Sequence, residues 1–211
     1  MQHVALIDYG SGNLRSAEKA LSRIAGGAAE VVVTDDPDVV ARADRIVLPG
    51  VGAFAACMAA LQARHGVIEA LEEAVHGKGA PFLGICVGMQ LLATRGLEFG
   101  ETAGLDWIPG EVRRLEAADP SIKIPHMGWN TLVDVADHPL FAPLAGGEAV
   151  YFTHSFAFFP GDPTDVTAWV EHGKRIPAAV AHGNVAGVQF HPEKSQKPGL
   201  ALLQRFLEWR P

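Results

Sequence analysis

The sequence predicts an α/β protein: an open, mostly parallel twisted sheet covered by helices on both faces, with additional mixed or antiparallel strands in the second half. Three observations carry this expectation. Short apolar strands alternate with helical periodicity from residue 4 to about residue 85, the pattern of βα units laid on a parallel sheet. From about 107 to 188 that rhythm gives way to short strands and turn residues, which favours mixed or antiparallel pairing. The chain has 211 residues, 48% of them hydrophobic, without repeats, low-complexity tracts or a linker, so a single domain over 1–211 with a sizeable core is expected.

The elements follow in order. Residues 4–7 form a first apolar strand, and Leu14, Ala17, Leu21 and Ile24 then fall on one helix face. Residues 31–33 and 46–48 supply the next strands, helical runs lie around 58–61 and 68–75, and 81–85 is a further apolar strand. In the second half, strands are expected at 111–115, 131–135, 150–153, 167–170, 178–181 and 185–189. A last helix from about 199 to 209 presents Leu200, Leu203 and Leu207 on one face, ready to pack on the sheet.

Composition narrows the function classes. The net charge is −7 and the basic residues do not cluster, which argues against nucleic acid and anionic membranes as partners. No apolar run approaches the ~20 residues of a membrane span, and the opening residues read as a strand rather than a signal peptide; a cytoplasmic location is expected. The only cysteines are Cys57 and Cys86, without a CxxC pair, so neither a disulfide framework nor a structural zinc site is suggested. A small molecule or another protein is the expected ligand.

Cys86 ends the strand Pro81-Phe82-Leu83-Gly84-Ile85 between Gly84 and Gly88, with an amphipathic run beginning immediately after it. A cramped strand-turn-helix elbow needs small residues at those flanking positions. It displays its side chain at the carboxyl end of a parallel strand, where open α/β sheets bind ligands, and the first helix amides favour a thiolate. The alternative is a buried cysteine that merely packs. His191-Pro192-Glu193 follows another apolar strand. If that stretch is extended, His191 and Glu193 project to one side, giving Cys86 a base and the base an orienter. A proline-capped surface turn, or three zinc ligands in Cys86, His191 and Glu193, are the competing readings. Val51 and Gly52 sit in Pro49-Gly50-Val51-Gly52 after the third strand; with the Val87 amide they would aim N–H donors at a developing oxyanion. A tight turn binding nothing is the alternative. Gln90 lies one helical turn beyond Cys86, on the thiol's side. His154, Ser155 and Phe156 end an aromatic strand, and Pro125-His126-Met127-Gly128-Trp129-Asn130 mixes Met and Trp with polar residues, as partner surfaces and ordinary cores both do.

Together these residues resemble the class I (triad) glutamine amidotransferases, whose signatures are G-x-C-x-G-x-Q at the nucleophile and H-P-E at the base. Asp8-Tyr9-Gly10-Ser11-Gly12-Asn13-Leu14, residues 49–54, 125–130 and 191–196 are similar, within that family, to the glutaminase subunits of imidazole glycerol phosphate synthases. The resemblance implies attack of Cys86 on the side-chain amide of L-glutamine, a thioester resolved by water to L-glutamate, and release of ammonia. His191 is then the base and Glu193 its orienter, with Val51, Gly52 and Val87 around the oxyanion. Gln90, Glu98, His154, Ser155 and Phe156 would hold glutamine, Glu98 facing its α-amino group. The ammonia would pass to a (βα)8-barrel cyclase subunit, partner in a heterodimer. That subunit makes imidazole glycerol phosphate and aminoimidazole carboxamide ribotide in histidine biosynthesis. Asn13, Trp129 and Lys194 would form the rim facing it; no cofactor and no metal are implied. The chain departs from the family's Tyr-Phe-Val-His-Ser-Tyr strand at Thr153 and Phe156, and from its acidic run before Glu98 at Arg95-Gly96-Leu97. A noncatalytic scaffold on the same fold, or a cysteine peptidase, are the readings from other classes.

Overall fold

The computed structural model describes residues 1–10, 13–117 and 121–211; Ser11 and Gly12 of the first similar stretch lie outside them. The first half is built of βα units. Strand β1 (Gln2–Ile7) leads to helix α1 (Leu14–Ala25), which buries Ala17, Ala20 and Leu21 and stops at Gly26 in the left-handed region (φ 55°). β2 (Ala29–Thr34) is followed by α2 (Pro37–Ala41), where Asp36 accepts from the Asp38 amide at 2.9 Å and proline opens the first turn. β3 (Arg45–Gly50) precedes α3 (Phe54–Gln62) and α4 (Val67–Glu72), and β4 (Phe82–Cys86) runs directly into α5 (Val87–Gln90). Every residue of β3 and β4 is buried, as expected of strands covered on both faces.

The run after Cys86 is not amphipathic. α5 is a single turn with all four residues buried, because the chain from Phe82 to Ala93 is buried throughout and has no solvent side to alternate with.

The second half contributes β5 (Arg95–Gly96), β6 (Thr102–Ala103), β7 (Gly110–Arg114), β8 (His126–Val133), β9 (Ala149–His154), β10 (Phe156–Pro160), β11 (Val166–His172), β12 (Lys174–His182), β13 (Val185–Val188) and the final helix α6 (Gln196–Glu208). Nine strands form one sheet in the order β2-β1-β3-β4-β13-β12-β11-β8-β9. From β2 to β13 all neighbours are parallel; from β13 to β9 all are antiparallel. β10, β7, β5 and β6 make a separate small sheet. Helices α1 and α6 pack on each other, as do α2, α3 and α4, giving the two helical layers. No helix among the described residues is long and apolar enough to cross a membrane.

The register positions the site. β4 pairs with β3 so that Cys86 is level with Gly50. On its other side β13 pairs Val188 with Ile85, so one residue further Gln189 comes level with Cys86, and His191 follows two positions beyond. The glycine loop, the cysteine and the histidine therefore gather at the carboxyl ends of three adjacent parallel strands, where such sheets bind ligands.

Candidate active site

Cys86 adopts φ 55° and ψ −112°, a region that non-glycine residues rarely occupy and that marks strained functional turns. Its glycine neighbours make the turn sterically possible. A β-carbon at Gly84 would lie 2.5 Å from the Gly88 carbonyl oxygen, and one at Gly88 only 1.8 Å from the Leu48 carbonyl oxygen. The thiol is nearly buried, at 4% exposure.

His191 is 2% exposed and its Nδ1 lies 2.9 Å from Glu193 Oε1; a carboxylate there makes Nδ1 the protonated nitrogen. Glu193 reaches it from a short 3-10 turn over Pro192–Lys194, not from an extended strand. Proline fixes φ and bends the chain back, so the two side chains meet by folding over the turn. The loop is pinned to β9: His191 N donates to Tyr151 O (2.9 Å), Tyr151 N to Ser195 Oγ (3.0 Å), and Ser195 Oγ to His191 O (2.6 Å). Asn13, expected on the partner rim, is half-buried and donates to Glu193 Oε1 at 3.3 Å.

Burial opposes a charged imidazole, but the neighbouring Cys86 sulfur and the Glu193 carboxylate outweigh it and raise His191 to about 9. Nε2 is buried and without a hydrogen-bond partner among the described residues, while Cys86 and Glu193 beside the ring raise its pKa. His191 therefore carries a proton at neutral pH.

A cavity of about 350 Å³ opens over Cys86, and it is lined by ten of the eleven catalytic, oxyanion and glutamine-contact residues expected from sequence. Glu193, the eleventh, stands beside His191. Val51 and Gly52 (φ 111°) form one edge. The Tyr9 hydroxyl donates to Pro49 O at 2.7 Å, and Cys57 Sγ donates to Val51 O at 3.4 Å, so the loop is braced from two sides. Val87 also lines the cavity. Gln90 Nε2 donates to Phe156 O (2.9 Å) and Gln189 Oε1 (3.0 Å), which commits both amide hydrogens and leaves ligand contact to its Oε1. Glu98 Oε2 accepts from Phe54 N at 2.8 Å, fixing one oxygen at the start of α3. His154 Nδ1 donates to Phe156 O (2.9 Å). Its Nε2 meets His126 Nδ1 at 3.0 Å, since β8 and β9 pair these residues directly. Burial, then neighbouring histidines, holds His126 near 3; burial likewise holds His154 near 4.

Sequence reasoning missed Pro125 and Thr153 in the cavity lining and Gln189 beside the thiol. Gln189 is fully buried and its Nε2 lies 3.7 Å from Cys86 Sγ; the strand alternation that places Gln189 on the face of His191 was the available signal. Trp129 (49% exposed) and Met127 (63%) are open. Trp129 meets the Tyr151 ring edge-on at 6.1 Å, and Lys194 Nζ lies 5.8 Å from that ring's centroid. Among the described residues no group of three His, Cys, Asp or Glu is placed to hold a metal ion.

The family model for glutamine amidotransferase class-I matches residues 5–209. The chain belongs to this family. Among curated amidotransferase relatives, imidazole glycerol phosphate synthase subunit HisH of Caulobacter vibrioides is 63% identical, with 100% of each chain covered. The subunit of the same name from Ruegeria pomeroyi is 55% identical over 98% of this chain and 99% of its own, and that from Rhodospirillum rubrum 56% identical over 99% of both. Two solved structures share the fold: a glutamine amidotransferase with TM-score 0.72, 21% identical, covering 97% of both chains, and one from Thermotoga maritima with TM-score 0.65, 18% identical, covering 91% of this chain and 76% of its own.

Proposed function

We propose that this chain is the glutaminase subunit of imidazole glycerol phosphate synthase, working in the cytoplasm as one amidotransferase domain over 1–211. It hydrolyses L-glutamine to L-glutamate and ammonia and passes the ammonia to a (βα)8-barrel cyclase subunit. The cyclase yields imidazole glycerol phosphate and aminoimidazole carboxamide ribotide for histidine biosynthesis. The observation that carries the reading is the convergence of a strained, glycine-flanked cysteine, a buried His–Glu pair and a braced glycine loop on one cavity.

In this reading Cys86 Sγ adds to the glutamine carboxamide carbon, and backbone amides at Val51, Gly52 and Val87 take up the oxyanion. The imidazolium of His191 gives its proton to the departing nitrogen, so ammonia leaves and a thioester forms. Water then adds, delivering its proton to His191; collapse of that adduct frees the thiolate and L-glutamate. Glu193 keeps Nδ1 protonated and Nε2 facing the reaction, with Asn13 supporting the carboxylate. Glu98, through the oxygen not held by Phe54, faces the substrate α-amino group. Gln90 and the backbone of His154, Ser155 and Phe156 hold the rest. Trp129 and Lys194 are exposed around the half-buried Tyr151 ring, and this is the face that meets the cyclase. Large aromatics with a flanking cation are typical anchors of such contacts.

Since glutamine hydrolysed without an acceptor is wasted, the isolated chain should release glutamate slowly and accelerate when the cyclase and its nucleotide ligand are added. Glutamate release measured in the three mixtures tests this. Equal rates in all of them would count against the subunit assignment.

A further inference from the structure

Gln189 lies beside Cys86, yet no step above uses it. It is fully buried, where a primary amide without partners is strongly disfavoured relative to an apolar side chain of the same volume. Its partners are functional groups. Nε2 lies 3.7 Å from Cys86 Sγ, and Oε1 accepts from Gln90 Nε2 at 3.0 Å. Gln90 Nε2 in turn reaches the Phe156 carbonyl at 2.9 Å. A continuous row of amides thus runs from the sulfur through Gln189 and Gln90 to the backbone edge of the cavity. The placement is fixed by the sheet: β13 is in parallel register with β4, and Gln189 N is held by Ala178 O at 2.8 Å.

We propose that Gln189 is a positioning residue for the glutaminase reaction, its Nε2–H holding the Cys86 sulfur in its reactive form and orientation while its Oε1 fixes the amide of Gln90. An N–H donor is bound more strongly by a thiolate than by a neutral thiol, so the contact favours deprotonation of Cys86. The same side chain sets which way the Gln90 amide faces, because both Gln90 hydrogens are spent on Gln189 and Phe156 and its carbonyl is left to the substrate. The inference rests on the reading of Cys86 as nucleophile.

Gln189→Met keeps the length and volume of the side chain and removes both contacts. The pH midpoint of Cys86 alkylation by iodoacetamide, followed at the Cys86 peptide by mass spectrometry, should rise by about one unit, from loss of one hydrogen bond to a charged group. The kcat for glutamate release should fall about tenfold, the same free energy in kinetic form. A folded Gln189→Met protein with an unmoved midpoint would overturn the proposal, since a purely structural amide changes stability and not the titration of the sulfur. If that variant does not fold, the native chain answers. It has six glutamines, and with 15N-labelled glutamine the Gln189 side-chain amide should shift as Cys86 titrates and cease to do so in Cys86→Ala. A Gln189 amide indifferent to Cys86 would overturn the proposal equally. Glutamate release by Cys86→Ala would instead defeat the nucleophile assignment, an outcome the alkylation midpoint does not depend on.

Discussion

Replacing Cys86 by glycine and, separately, by alanine removes the thiol in both cases and leaves only the backbone to distinguish them. At an ordinary strand or helix position alanine is the more stable by roughly 0.5–1 kcal/mol, because glycine loses more chain freedom on folding. At φ 55° and ψ −112° the order should invert. A residue with a β-carbon held in such a sparsely populated region bears about 1–3 kcal/mol of strain, which glycine does not. The difference gives Cys86→Gly an advantage of about 1 kcal/mol, within a range of about 0 to 2.5. For a chain of this size that is about 2–4 °C in the unfolding midpoint. Urea unfolding of the two variants, followed by circular dichroism with equal slopes required of both, measures it. If alanine proved more stable by the ordinary margin, the elbow would be unstrained and the reasoning from its glycines would fail.

Gly88→Ala drives a β-carbon to 1.8 Å from the Leu48 carbonyl oxygen, a backbone clash that no rotamer relieves. Thermal unfolding should register a loss at or above the upper end of about 1–3 kcal/mol, while Gly77→Ala, whose new atom meets nothing nearer than 3.9 Å, stays close to the native midpoint. His126 and His154, held near 3 and 4, remain neutral in the fold where an unfolded chain takes up protons. Their contribution is complete above about pH 6.5 and is lost as pH falls toward their folded values. The slope reaches up to about 1.4 kcal/mol per pH unit for each, the His126 share being reduced by solvent screening. Urea midpoints at several pH values should show the decline, shallower in His126→Gln. Trp129→Ala should weaken cyclase association about 30-fold, the equivalent of about 2 kcal/mol for a truncated aromatic anchor, by titration calorimetry; an unchanged affinity would remove Trp129 from the interface.

What the sequence made legible were the features enforced locally. Glycines at 84 and 88 betray the elbow because no other residue fits beside the Leu48 carbonyl and the turn itself. The βα rhythm of the first half betrays the parallel sheet because its central strands are covered on both faces. The features set by distant contacts were harder to read. Strands at Arg95–Gly96 and Thr102–Ala103 are too short to carry a period, and Phe156–Pro160 ends in a proline, which demotes a strand from sequence. The His191–Glu193 pair was found through an assumed extended chain, whereas a 3-10 turn brings the two together. The contact of Asn13 with Glu193 was also hidden, because nothing in its neighbourhood signals a carboxylate 180 residues away. Alternation puts Gln189 on the face of His191, but only the register of β13 on β4 brings it level with the cysteine.

The central claim is that Cys86 generates the ammonia that a separate subunit consumes. The direct measurement is product formation by the Cys86→Ala chain in complex with the cyclase subunit and its nucleotide substrate, supplied with glutamine in one reaction and ammonium salt in another. Turnover should vanish with glutamine and persist with ammonium. Glutamine-dependent turnover by the Cys86→Ala complex would contradict it.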